Sequence, residues 1–385
     1  MKKNLQYNLK EIFLAFISIL FVLFITAPNV LASPAINEYS LPSGSNPFGI
    51  TTGPDGNLWF CERSSDKIGK MSPNGTLLAQ YSVPTVNADP FGITVGPDHN
   101  LWFTEDNGNK IGKITTSGVI TEYSTGISAN ANPLGITAGP DGNLWFTEAN
   151  PTAPKIGKIT TSGVVTEYAV GIGGILDIGI TAGPDGNVWF ADGVDIGRIT
   201  PSGTITSFPI GGSIDATLIV TGSDGNLWFN SWNGHSISKM TTTGTVTTYP
   251  TTSPSAYYGM TLGPDGNVWF AGNDVVGKIT PSGSVTEYNP PTSNSGPAGI
   301  TAGPDGNVWF AEQGASKIGE VVLNVAPTNI SPPITNVTTP SSVTTPDTGY
   351  GLPSSNNPIY FMIAAIIIIL TGLGLLFFRR RKDKA

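Results

Sequence analysis

Along most of the chain, apolar and polar positions alternate in short runs, and each run stops at a cluster of Gly, Pro, Asp, Asn or Ser. The stretch Pro133 to Val170 shows the pattern in full. Gly135-Ile136-Thr137-Ala138 predicts a strand a, and Leu144-Trp145-Phe146-Thr147 a strand b. Between them lies Gly139-Pro140-Asp141-Gly142-Asn143, where proline presets φ and Asp followed by Gly suits a tight hairpin. Lys155 to Thr160 predicts strand c, and Ser162-Gly163 turns it into strand d, Val164 to Tyr168. No helical period appears in this region.

The same unit recurs as G-I-T-x-G-P-D-G-N-[LV]-W-F, with tryptophans at Trp59, Trp102, Trp145, Trp189, Trp228, Trp269 and Trp309. A unit of roughly 40 to 45 residues cannot bury its own apolar face, so copies must stack and close on one another. The expected fold is all-β: a seven-bladed β-propeller of four-stranded antiparallel blades. The last copy stops after strand c, at Ile318 to Val322, and the missing strand lies at the other terminus. Ile36-Asn37-Glu38-Tyr39-Ser40 matches strand d of the other copies and would pair with the final blade, which removes the open edge at the seam. Gly49, Gly92, Gly135, Gly179, Gly259 and Gly299 open strand a, where inner strands crowd the axis; blade five has Leu218 instead.

The ends of the chain change the picture from a soluble disc to a displayed one. Residues 1–32 carry Lys2 and Lys3, an apolar run and Val30-Leu31-Ala32, which reads as a secretory signal. The propeller then occupies residues 33–324, and residues 325–357 form a Thr/Ser/Pro-rich stalk. A transmembrane helix is expected over residues 358–378, its uncharged core running from Ile359 to Phe378, with a basic cytoplasmic tail at 379–385. Within the stalk, Thr345-Pro346-Asp347-Thr348-Gly349 resembles a sortase sorting signal of the LPxTG type, with Thr345 in place of the usual Leu. That resemblance implies cleavage between Thr348 and Gly349 by a sortase partner, whereas the span alone implies a plain membrane anchor. Either way the protein is expected at the cell surface.

Charge and cysteine content narrow the partners. The chain carries a net charge of −8, and the exported part is more acidic still because Lys2, Lys3, Lys10, Lys384 and Arg379 to Lys382 lie in the terminal segments. Nucleic acid is excluded as a partner on that balance, and a monomer is expected. Cys61 is the only cysteine and stands at the position held by Thr104, Thr147, Ala191, Ala271 and Ala311 in five other blades, so a buried structural thiol is expected.

Strand direction places the ends of strand b, the b-to-c loops and the d-to-a connections on one face. Three residues past each Trp stand Glu62, Glu105, Glu148, Asp192, Ser231, Gly272 and Glu312. Eleven before each Trp stand Phe48, Phe91, Leu134, Ile178, Thr217, Tyr258 and Ala298, a mostly apolar mouth. Carboxylates converging on an axis can hold a divalent cation or hydrogen-bond sugar and peptide groups, with Glu105 and Glu148 the candidates for metal. The alternative is that each carboxylate satisfies backbone N–H groups or pairs with Lys67, Lys110, Lys155 or Lys317. Of the two histidines, His99 substitutes for Gly in a hairpin on the opposite face. His235 follows Trp232 in the b-to-c loop of blade five, and the two are candidate ligand contacts with Trp232 substantially exposed.

The repeat P-x-G-I-T-x-G-P-D-G-N-L-W-F-T-E with K-I-G-K-I-T resembles the streptogramin lyase (virginiamycin B lyase) family over residues 36–323. The resemblance implies a metal-assisted β-elimination, with Mg²⁺ or another divalent cation, that opens a cyclic depsipeptide antibiotic at its ester. It also implies histidines at the start of strand a in adjacent blades and a Glu of the W-F-T-E type. The Glu type is present; no blade has His eleven residues before its Trp. The leading expectation is therefore a surface-anchored propeller that binds a ligand, glycan or partner protein through its carboxylate-bearing face. Its rival is a lyase whose base has moved to His235 or Tyr258.

Overall fold

Each G-P-D-G-N segment closes a hairpin as the turn chemistry demands: in blade three Gly139 N–H donates to Asn143 O at 2.7 Å and Gly142 takes φ of 75°, a left-handed value that glycine adopts without strain. The computed structural model describes residues 33–171, 179–211, 214–232, 235–252, 257–272 and 274–323. The signal segment, stalk, span, basic tail, Thr348, Gly349 and Ile178 lie outside them. Among the described residues no helix is long and apolar enough to cross a membrane.

Seven four-stranded antiparallel sheets form, each with its strands in the order a-b-c-d. In blade three these are Pro133–Ala138, Leu144–Glu148, Lys155–Ile159 and Val165–Ala169. Strand a of blade seven, Pro297–Ala302, packs against strand a of blade one, Pro47–Thr52, so the ring is closed. Its outermost strand is Ile36–Ser40, which pairs with Lys317–Val321 in the register Ile36↔Val321, Glu38↔Gly319 and Ser40↔Lys317. Ring closure by the N-terminal strand is thus as the repeat arithmetic requires.

Strand b is the core of every blade, buried at all five positions. The seven repeat tryptophans are at most 1% exposed and pack between blades; Trp59, for instance, clusters with Ile93, Leu101 and Phe103 of blade two. Burying an apolar side chain of this kind contributes about 1.5–3 kcal/mol. Cys61 is fully buried in the same cluster, and that burial pushes its thiol well up, as expected of a structural thiol. Axial crowding is also real. A Cβ on Gly49 would lie 2.4 Å from Phe91 O, and one on Gly299 2.2 Å from Phe48 O.

Candidate functional site

The innermost strands enclose an axial cavity of about 300 Å³, lined by strand a residues of all seven blades. At its mouth Phe48, Phe91 and Ala298 form a buried cluster joined by Leu134 and Tyr258. These five occupy the position eleven before Trp. Thr217, the counterpart in blade five, is instead drawn into hydrogen bonds with Asn230. The rings run in sequence across the mouth: Phe91 to Phe48 at 4.3 Å between centroids, Phe48 to Tyr258 at 6.4 Å, and Tyr258 to Trp232 at 5.5 Å, the last two edge-on.

Arg63 covers one end of this row. Its guanidinium stands 4.6 Å from the Phe91 ring centroid and 5.3 Å from that of Phe48. Nε and NH2 hold the Asp89 carboxylate in a fork, both at 2.6 Å, which fixes the plane of the guanidinium. Beside it lies a polar cleft between blades one and two, lined by Asn46, Ser64, Asp66, Asn87, Asp89 and Asn107 with Arg63. Sequence reading passed over Arg63. Its signal was a lone arginine directly after strand b, where the other blades have none.

Trp232 corrects one expectation. It is half-buried rather than substantially exposed, because its ring leans on Tyr258 and its backbone N–H donates to Asp215 O at 2.7 Å. His235 is exposed in the same loop and has φ of 45°. His99 lies in its hairpin with φ of 56°, filling the conformation that Gly takes in the other copies.

The carboxylates end strand b as expected, but they are withdrawn from the mouth. Glu62, Glu105, Glu148, Asp192 and Glu312 are at most 1% exposed, and none lines the axial cavity. Nor do the loop lysines pair with them. Lys110 reaches past Glu105 to Glu122 of strand d at 2.8 Å and to Thr85 of the preceding connection at 2.6 Å. Lys155 bonds Glu167 and Ser128 in the same way, and Lys317 bonds Glu38 and Thr292. These lysines bolt neighbouring blades together. Both oxygens of Glu105, Asp192 and Glu312, and one of Glu148, have no hydrogen-bond partner among the described residues.

A buried carboxyl without donors favours its neutral form. Burial first, and then the charge of Glu122, pushes Glu105 up to about 8. Burial followed by Glu167 does the same for Glu148, also to about 8. Asp192 is raised to about 6 by burial and Asp195. Among the described residues no three His, Cys, Asp or Glu side chains come together to hold a metal ion. Glu105 and Glu148 sit in separate blades, each against its own strand d glutamate, so the residues present do not fit a divalent cation there.

Comparison with known proteins bears on both fold and location. The model of the virginiamycin B lyase family matches residues 29–274 and 177–349. That of the LPXTG cell wall anchor motif matches residues 346–384, which makes the protein an exported one, anchored at the cell wall. No curated protein sequence matches the chain. A solved streptogramin B lyase is 36% identical, with a TM-score of 0.71, over 76% of this chain and 98% of that one. Virginiamycin B lyase from Staphylococcus aureus is 34% identical, with a TM-score of 0.70, over 75% and 99% respectively. A catalytically inactive histidine-to-alanine variant of that enzyme, solved with quinupristin, is also 34% identical, with a TM-score of 0.69, over 75% and 99%. The shared repeat, the ring of seven blades and a match across nearly the whole of these enzymes place the chain in the virginiamycin B lyase family.

Proposed function

We propose that this protein is a wall-displayed binding propeller, taking up a ligand, glycan or partner protein at the mouth of its carboxylate-bearing face without opening a ring. The observation that carries this reading is the edge-on pair Tyr258 and Trp232, both half-buried at the mouth and backed by the buried rings of Phe48 and Phe91. Stacking surface edged by the amides, hydroxyls and carboxylates of the adjacent cleft suits a ring-bearing ligand. The strand b carboxyls lie behind this surface, buried and away from the axial cavity. In the relative, a catalytically inactive variant was solved with quinupristin. In that protein, then, holding the ligand and transforming it are separable.

A proton abstraction from the α-carbon of an ester needs a positioned base, and loss of one costs about 10²- to 10⁴-fold. The rival lyase reading rests on His235, three residues beyond Trp232, or on Tyr258 beside Trp232. Incubating the intact protein with quinupristin, with and without Mg²⁺, and following ring opening by mass spectrometry separates the two. The expected result is no product above background, together with calorimetric binding that weakens in Trp232→Ala. Ring-opened product that disappears in His235→Ala or Tyr258→Phe would establish a lyase with a relocated base.

A further inference from the structure

Among the described residues, the N-terminal strand Ile36–Ser40 is the only outer strand that reaches its blade from the far end of the sequence, and one residue on it gathers three bonds. Glu38 accepts Lys317 Nζ at 2.6 Å, Thr292 N–H at 2.7 Å and Thr292 Oγ1 at 2.6 Å. Behind this cluster stands Glu312, fully buried, with neither oxygen bonded among the described residues. In the ladder Glu312 lies opposite Lys317, whose ammonium has turned to Glu38 and Thr292 instead. The groups facing Glu312 are Glu38 from the closing strand, Lys317 from strand c, Asp274 from the b-to-c turn of blade six and the Ser295 hydroxyl.

Blade one is a built-in comparison. Glu62 holds the position of Glu312, but its strand d neighbour is Gln80 rather than a glutamate. The Gln80 amide donates to both Glu62 oxygens, at 2.8 and 2.7 Å, and Ser65 Oγ adds a third bond at 3.0 Å. An anion is therefore satisfied in blade one. At the seam the neighbour is a carboxylate, which can only accept, so a second anion there would be buried beside the first.

We propose that Glu312 is a proton-operated latch on the ring seam: as the neutral acid it lets Glu38, Lys317 and Thr292 hold the closing strand, and on losing its proton it loosens that strand. Burial above all, with the charges of Glu38 and Asp274 behind it, pushes the Glu312 carboxyl up to about 7 against the pull of Ser295 and Lys317. Because the folded value lies above the ordinary 4.5, the latch is complete below that ordinary value and is lost as pH rises through about 7.

Hydrogen exchange of the intact protein, followed by mass spectrometry at about pH 5.5 and about pH 8.5 and corrected for the intrinsic pH dependence of exchange, tests this. Opening of Ile36–Ser40 is expected to rise about 30-fold between the two, the consequence of one proton released across that interval. The Gln80-bearing strand Leu77–Ser82 serves as the reference within the same molecule and should change far less. Glu312→Gln should keep Ile36–Ser40 as protected at the higher pH as at the lower. Equal corrected protection of Ile36–Ser40 at both values, or an equal loss in Leu77–Ser82, would overturn the latch. So would a folded Glu312→Gln protein that retains the pH dependence. If that variant does not fold, the comparison of the two strands in the unaltered protein still decides.

Discussion

Seven aspartates stand four residues before the seven repeat tryptophans, and each accepts the indole N–H of its tryptophan, at distances from 2.9 to 3.1 Å. In blade three Asp141 takes Trp145 Nε1–H at 2.9 Å, and Lys158 lies 5.0 Å over the Trp145 ring with its ammonium 3.8 Å from the same carboxylate. Partial burial pulls the Asp141 pKa upward, but the donors Trp145 and Asn143 outweigh it and hold the carboxyl below its ordinary value. Asp141→Ala would leave a buried indole N–H without an acceptor, at a cost of about 1–3 kcal/mol in urea unfolding, and Asp141→Asn should lose less. Equal stability of Asp141→Ala and the parent would mean that the aspartate serves the turn alone. The i to i+4 spacing was visible in the sequence. Its second purpose was not, because turn chemistry already accounted for an aspartate after proline.

At the scale of the element, the last blade reverses a charge that the other six share at one position of strand c. Strand c carries Lys70, Lys113, Lys158, Arg198, Lys239 and Lys278 at the position where blade seven has Glu320. Glu320 accepts Asn37 Nδ2–H at 2.9 Å and Tyr39 O–H at 2.7 Å from the N-terminal strand, and Asn307 Nδ2–H at 2.7 Å. Burial and then the bond to Glu320 push the Tyr39 phenol up to about 12. Glu320 thus gives the seventh blade acceptors that suit Asn37 and Tyr39, which no other blade offers. Glu320→Lys, which restores the pattern of the other six, should lower stability by about 1–3 kcal/mol. Deleting residues 33–42 should lower the melting temperature further and promote association through the bared edge of Lys317–Val321. A deletion protein that melts with the parent would contradict closure by that strand. The pairing itself was legible from the missing strand in the last copy, since Ile36 to Ser40 repeats the strand d pattern.

The whole molecule carries two opposed sets of carboxyls, and their linkage sets a pH optimum for the fold. The hairpin aspartates Asp55, Asp98, Asp141, Asp185, Asp224 and Asp265 are held below their ordinary range, so their contribution is present above it and lost as pH falls through the folded values. Glu105, Glu148, Glu312 and Asp192 are raised to about 8, 8, 7 and 6, so theirs is present in mild acid and lost as pH climbs through those values. The melting temperature should therefore peak on the mildly acidic side and be lower at about pH 8.5 than at about pH 5. Scanning calorimetry across that range is the check, and a curve that rises steadily to pH 8.5 would show the strand b carboxyls to be ionised in the fold.

The sequence by itself determined the number of blades, the order of their strands and the origin of the closing strand. Each of these rests on local chemistry repeated seven times: a turn that only certain residues make, a period of two, and a tryptophan at a constant offset. Tertiary structure decided what the polar residues do. Lys110 meets Glu122 rather than Glu105, and Thr85 joins them from the preceding blade's connection. Trp232 is half-buried because Tyr258 comes to it from blade six, and Arg63 lies over the rings of Phe48 and Phe91 because blades one and two meet there. Partners of this kind belong to other strands and other blades, and the protonation of a carboxyl depends on which donors the closed ring brings to it. No repeat contains that information, since a residue's neighbours across a blade interface are set only when the ring closes.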